Sequence, residues 1–352
     1  MEHHEEHEEE IRDELIATLR SISETTLADT GHGLRSVHAK SHALVVAEAE
    51  VLDGLPPELA QGLFATPGRY KALMRFSTNP GDVLHDAVSA PRGLGLKLVG
   101  VRGERLPGSE GQQTQDFLMA DAPAFAAPNA ATFLKNLKLI AKTTDRAEGA
   151  KKALSGVLRL VEAGIEAFGG KSATIVALGG HPLTHVLSET YFSQTAFLYG
   201  ANVAKFSVAP VSAELLELKG RKIDVSGHPD AHREAVNAFF AERGGEWELR
   251  VQLMTDADAM PIEDASVAWD EKMSPYLPVA RIRAEPQQGW SADKSKAMDD
   301  GLSFSPWRGL AAHRPLGSIN RVRRENYARS VAFRSQANGC PIREPKADAP
   351  SG

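Results

Sequence analysis

Cysteine is almost absent from this chain. Of its 352 residues only Cys340 carries a thiol, which excludes an intrachain disulfide framework and fits a reducing compartment. An excess of positive charge is absent too. The formal net charge of -6 and a pI near 6.1 argue against a general nucleic-acid binder. No apolar run approaches the roughly 20 residues that span a bilayer. The opening "MEHHEEHEEE" has no apolar core, so it does not read as a signal peptide. The expected location is the cytoplasm.

Common chemical signatures are missing as well. There is no phosphate-binding glycine loop followed by Lys-Ser or Lys-Thr. The glycines of "GLGLKLVG" lack the spacing of a dinucleotide fingerprint. No Cys–His spacing suggests zinc, and no Gly-x-Ser-x-Gly elbow occurs. His3, His4 and His7 stand among glutamates, where a solvated terminus is a better reading than a metal site.

What remains is a chain able to bury a sizeable core, 42% hydrophobic and 24% charged. "IRDELIATLRSI" places Ile11, Leu15, Leu19 and Ile22 at helical spacing. "SVHAKSHALVVAEAEVL", "YKALMRFST" and "RGLGLKLVGV" read as strands, with turns at "NPGD" and "RLPGSEG". "NAATFLKNLKLIAKTT" and "RAEGAKKALSGVLRLVEAGIEAF" form a helical insertion over about 129–170. Strands return at "TAFLYG", "VAKFSVAPV", "EWELRVQLM" and "VARIRAE", with a helix in "HREAVNAFFAERG". The fold class is therefore α+β, built on an antiparallel β-barrel. The expected organisation is an acidic arm and amphipathic helix over 1–30, one main domain over 31–338, and a tail over 339–352.

Near the end, "RVRRENYARS" places Arg323 four residues before Tyr327, and Arg334 follows seven residues later. These spacings put a phenol and two guanidinium groups on one helix face. Upstream, Arg35 precedes His38 by three residues in "RSVHAK". In "MRFST", Arg75 and Ser77 share one face of a strand.

Together and in this order, these segments resemble the haem-dependent catalase family. Its R-x-x-H-A-K segment is matched by Arg35, His38, Ala39 and Lys40. Its R-F-S-T strand is matched by Arg75 to Thr78, and its P-R-G turn by Pro91, Arg92 and Gly93. The R-x-x-x-Y of the proximal helix, with a further arginine seven residues on, is matched by Arg323, Tyr327 and Arg334. The matches run from about residue 35 to residue 335. The chain reads as a short catalase-like member, without the flavodoxin-like C-terminal domain of the large-subunit forms. The usual nucleotide-binding region of that family finds no match.

The resemblance implies a catalase-like barrel with helical insertions and a C-terminal proximal helix that binds haem b. Tyr327 is the implied ligand of ferric iron, as a phenolate supported by Arg323. Arg334, Arg35 and Arg75 are implied contacts of the haem propionates. Phe133 aligns with the phenylalanine stacked on the distal haem face. His38 is the implied general acid–base, oriented by Ser77.

Two positions depart from the family. Ala120 replaces the asparagine that hydrogen-bonds peroxide, with Asp121 next to it. Ala90 replaces the channel aspartate before P-R-G. Both changes make the approach more apolar. The implied activity is a haem peroxidase that reduces organic hydroperoxides, hydrogen peroxide or both, with weak catalase activity. One alternative is a fatty-acid hydroperoxide isomerase resembling allene oxide synthases. That branch carries Thr directly before its distal His, where this chain has Val37. Another is a non-catalytic haem-binding peroxide sensor. The expected partners are a peroxide and a small-molecule electron donor, with no nucleic acid and no membrane span. The N-terminal helix is a candidate for exchange between subunits of a homo-oligomer.

Overall fold

The computed structural model describes residues 2–141 and 182–346. Its centre is an antiparallel barrel. The strands are β1 (Lys40–Val51), β2 (Gly68–Thr78), β3 (Arg92–Val99), β4 (Thr114–Ala120), β5 (Tyr191–Phe192), β6 (Phe197–Tyr199), β7 (Asn202–Pro210), β8 (Gly245–Leu253) and β9 (Leu277–Ala284). They pair in the order β5-β4-β3-β2-β1-β9-β8-β7-β6. β5 closes the ring, because Phe192 pairs with Ala120 on one side and with Ser207 on the other. The ring thus has eight strands, and β6 forms a hairpin with β7 beside it.

Alternation along each strand fills the inside. Ala43, Val45, Ala47, Ala49 and Val51 of β1 face a core with Phe76, Phe117, Phe206 and Trp247. The intervening residues point outward, and this outer face of β2, β3 and β4 carries the polar groups that matter below. β4 is the strand that the sequence conceals. Its "TQDFLMA" buries Gln115 and Asp116, and Asp116 is matched across the register by Lys97. Their ions meet at 2.6 Å, so a polar pair occupies positions where apolar alternation would otherwise be visible.

Three helices cover this side of the barrel. In α1 (Glu8–Thr30), the expected stripe of Leu15, Leu19 and Ile22 is buried against Leu134 and Leu137 of α2 (Ala130–Ala141). Val322 of the last helix joins the same cluster. Each such side chain contributes about 1.5–3 kcal/mol by leaving water. That last helix, here α4, runs from Ser318 to Asn338 and ends at Gly339 in the left-handed region. A further helix, α3 (Ala231–Phe240), seats Phe239 and Phe240 in the core. The helical stretch expected over 146–168 lies outside the described residues.

The acidic terminus leaves His3, His4 and His7 in solvent, as expected, while some of its glutamates tie it to α4. Arg321 of α4 is held by Glu2, Glu8 and Glu263 at 3.1, 2.7 and 2.9 Å. Glu2 also accepts from the Gly317 N–H at 3.0 Å, which satisfies a donor at the start of α4. Among the described residues, no cluster of His, Cys, Asp and Glu could hold a metal ion. No helix among them is long and apolar enough to cross a membrane.

Candidate active site

A cavity lies between α4 and the outer face of β2, β3 and β4. About 150 Å³ of it is open to the centres of water molecules. From the barrel side it is lined by Arg75 and Ser77 of β2, Gly93 and Gly95 of β3, and Ala120 of β4. The segment before β1 adds Arg35 and His38. From α4 come Arg323, Asn326, Tyr327, Ser330, Val331 and Arg334. These α4 positions recur every three or four residues, which is one face of a helix. The cavity therefore gathers seven of the eight residues singled out in the sequence.

The eighth, Phe133, does not line it. Its ring packs edge-on against Phe125 at 5.1 Å, and of these two rings Phe125 is the one on the wall. Phe133 stands behind, beside the cluster that joins α1 to α2. Ala90 is also off the wall, at a small crevice with Thr78, Asp86 and His232. Asp121 does not reach the cavity either. Its carboxylate accepts from the Arg92 N–H at 3.1 Å.

His38 does not sit in a strand as expected. It precedes β1 with φ of 54°, in the left-handed region. A non-glycine residue held there costs about 1–3 kcal/mol and must be fixed by its surroundings. The fixing comes from Arg75, whose Nη2 donates to the carbonyls of His38 at 2.9 Å and Ala39 at 3.1 Å. The imidazole lies against Gly93, where no side chain stands in its way. Its Nδ1 is buried and has no hydrogen-bond partner among the described residues. Ser77 does not orient the ring as expected, since its hydroxyl makes a long contact of 3.4 Å to the Gly93 carbonyl. Burial pulls the His38 pKa down to about 4, helped by the positive charge of Arg75 and opposed by Asp121. The ring is thus neutral near pH 7.

On the opposite element, Tyr327 presents a phenol to the cavity. Among the described residues nothing hydrogen-bonds its hydroxyl, and Arg323 does not bond it. Arg323 donates to the Asn320 amide oxygen at 3.2 Å and lies over the Phe125 ring at 5.6 Å.

Arg35, Arg75 and Arg334 converge at one end. Asp299, which the sequence did not single out, is the anion among them. Its Oδ1 accepts from Arg75 Nε at 2.6 Å and Arg35 Nη1 at 3.2 Å. Arg334 Nη1 donates to the Asp299 backbone carbonyl at 2.6 Å. Burial opposes the Asp299 charge, but Arg75 and Arg35 overcome it and hold the carboxyl far below its usual range. The positive charges remain in excess. Burial and the neighbouring guanidinium of Arg75 lower Arg334 to about 10, and Arg35 is lowered by burial, Arg334 and Arg75. Three guanidinium groups against the two carboxylates of Asp299 and Asp300 leave a site suited to a further carboxylate.

The residues present therefore fit a haem. They offer a phenol without a partner among the described residues, a buried neutral imidazole on another wall, and an arginine cluster for acidic side groups. Gly93 and Gly95 keep the barrel wall low, since a Cβ there would meet the His38 and Phe304 rings at 2.5 and 3.0 Å.

No family model matches the sequence, and no curated protein matches it. The structure does match solved proteins. A fungal catalase superposes with a TM-score of 0.60 at 17% identity, over 90% of this chain and 61% of that one. Catalase A from Saccharomyces cerevisiae gives 0.57 at 16% identity, over 89% and 63%. A bacterial catalase gives 0.56 at 16% identity, over 92% and 60%. The chain spans about three fifths of the length of these catalases. At this identity the likeness is one of architecture, and the chain has the catalase fold.

Proposed function

We propose that this protein is a haem-dependent peroxidase that reduces organic hydroperoxides, and hydrogen peroxide less well, with electrons from a small-molecule donor. One observation carries the reading. His38 and Tyr327 line a single cavity from different elements, and among the described residues neither the His38 Nδ1 nor the Tyr327 hydroxyl has a hydrogen-bond partner. Haem b, when bound, supplies the redox chemistry. Tyr327 would hold its iron, while Arg35, Arg75 and Arg334 would hold its carboxylates.

The chain's own contribution is proton handling and selection. His38 is neutral at working pH, so it takes the proton of the bound peroxide and returns it to the departing oxygen. Over one turnover, ROOH would take two electrons from the donor and two protons, and leave as the alcohol ROH and one water. Selection would follow from the apolar part of the wall, where Leu94, Leu118, Met119, Ala120, Phe125 and Phe304 offer apolar contact. Ala120 has no hydrogen bond to give.

Turnover of an alkyl hydroperoxide and of hydrogen peroxide by the haem-loaded protein, read by dye oxidation, tests this. The expected result is haem-dependent oxidation with the alkyl hydroperoxide preferred. No dye oxidation with either peroxide would remove the proposal. Conversion of a fatty-acid hydroperoxide without donor consumption would favour an isomerase instead.

A further inference from the structure

We propose that Asp299 is a positioning residue for His38: its carboxylate fixes Arg75, and Arg75 clamps the backbone that aims the imidazole. The contacts form an unbroken chain. Asp299 Oδ1 accepts from Arg75 Nε at 2.6 Å, and Arg75 Nη2 donates to the carbonyls of His38 and Ala39 at 2.9 and 3.1 Å. The clamp is needed because His38 has φ of 54°, a conformation that its neighbours must impose.

Asp299 is itself unusually constrained. Its Oδ2 accepts from Ser41 Oγ at 2.6 Å and Ser295 Oγ at 2.7 Å. It sits in a π-helical turn, Lys296–Asp300, that follows the short helix Ala292–Ser295. The turn closes with the Gly301 N–H donating to the Lys296 carbonyl at 3.2 Å. Such an extra residue in a helix re-aims the side chains that follow, and it recurs at functional sites. From α4, Arg334 Nη1 holds the Asp299 carbonyl at 2.6 Å. One acidic residue is thus tied to the helix that carries Tyr327 and, through Arg75, to His38.

The geometry also divides the Arg75 guanidinium. Nε serves Asp299 and Nη2 serves the His38 segment, while Nη1 makes no hydrogen bond among the described residues. Nη1 is the nitrogen left for a bound carboxylate. Asp299 thereby lets one arginine hold a ligand and keep His38 in place together.

What His38 does rests on the peroxidase reading, but how it is held does not. The test uses the full chain with isotope-labelled histidine, first without added haem. The His38 ring signal is assigned by its loss in His38→Gln. Asp299→Asn, which keeps shape and removes charge, is expected to shift or broaden that signal, leaving His313 and His185 unmoved. Asp299→Glu is expected to restore it in part. After haem loading, Asp299→Asn is expected to lower kcat about tenfold with KM and haem occupancy nearly unchanged. Ser295→Ala, which loosens Asp299 without changing charge, is expected to give a smaller shift of the same His38 signal, and it serves if Asp299→Asn fails to fold. An unmoved His38 signal in Asp299→Asn, or in Ser295→Ala where Asn does not fold, overturns the proposal. If the natural protein shows no peroxidase activity, the functional reading falls, while the haem-free spectra still decide the role of Asp299.

Discussion

A Cβ added to Gly93 would lie 2.5 Å from Cε1 of His38 and 2.7 Å from its Nδ1. No real Cβ atom tolerates such a contact, so the imidazole occupies its place because residue 93 has no side chain. Gly93→Ala is expected to push the ring off the barrel wall. Overpacking of this kind costs about 1–3 kcal/mol. Peroxide turnover should fall while haem binding persists, since the phenol and the arginines are untouched. Haem titration alongside dye oxidation checks this, and equal losses in both would mean that the glycine serves folding alone.

His38 itself is expected to contribute through proton transfer. His38→Ala should keep haem and lose roughly 10²–10⁴-fold in the rate of reaction with peroxide. Rapid mixing of the haem-loaded variant with peroxide gives the rate directly. A rate equal to that of the natural protein would make His38 a structural residue.

Much of this site was legible because its residues lie on periodic elements. Arg323, Tyr327 and Arg334 keep helical spacing, and Arg75 and Ser77 keep strand spacing, so their shared faces could be read from the sequence. Contacts that cross between elements could not. Asp299 is one of 46 acidic residues, and nothing in "KAMDDG" marks it as the partner of Arg75, far away in the chain. Phe125 and Phe133 were both visible as aromatics, but which one faces the cavity depends on how the loop after β4 packs on α2. The left-handed backbone of His38 is imposed by Arg75 and leaves no trace in "RSVHAK". The ties of the acidic arm were hidden for the same reason, because they run to Arg321, remote in sequence.

Stability should depend steeply on acid. Burial lowers the pKa values of His38, His185 and His313 from 6.5 to about 4. His42 is also lowered, by burial and then by His232 and Lys40. Between about pH 4 and 6.5 the unfolded chain binds protons on these rings that the folded chain does not. Stability is therefore full above pH 6.5 and is lost as pH falls toward 4. Near pH 5.5, unfolding should take up roughly three to four protons through the four rings. Denaturant titrations at several pH values measure that number. A flat profile between pH 6.5 and 5 would show that these histidines are not buried as neutral groups.

Ala120 ends β4 opposite Gly93, on the cavity wall. Ala120→Asn is expected to add a donor for a small peroxide beside His38. A single hydrogen bond contributes about 0.5–1.5 kcal/mol, and more in a water-poor site, so a gain of about tenfold in oxygen evolution from hydrogen peroxide is expected. Turnover of alkyl hydroperoxide should stay level or fall. An oxygen electrode and dye oxidation on haem-normalised samples separate the two activities. If the natural protein already evolves oxygen as fast as the variant, Ala120 does not limit that reaction.

Tyr327 is the residue that would make this cavity a haem site. Titration of the purified chain with ferric haem, followed by absorption and by haem content per chain, tests it most directly when repeated on Tyr327→Phe. The natural chain is expected to bind one haem, and the variant, which lacks a ligand oxygen, to lose most of that binding and the accompanying spectrum. Full occupancy with an unchanged spectrum in Tyr327→Phe, or no stoichiometric binding by the natural chain, would contradict the account.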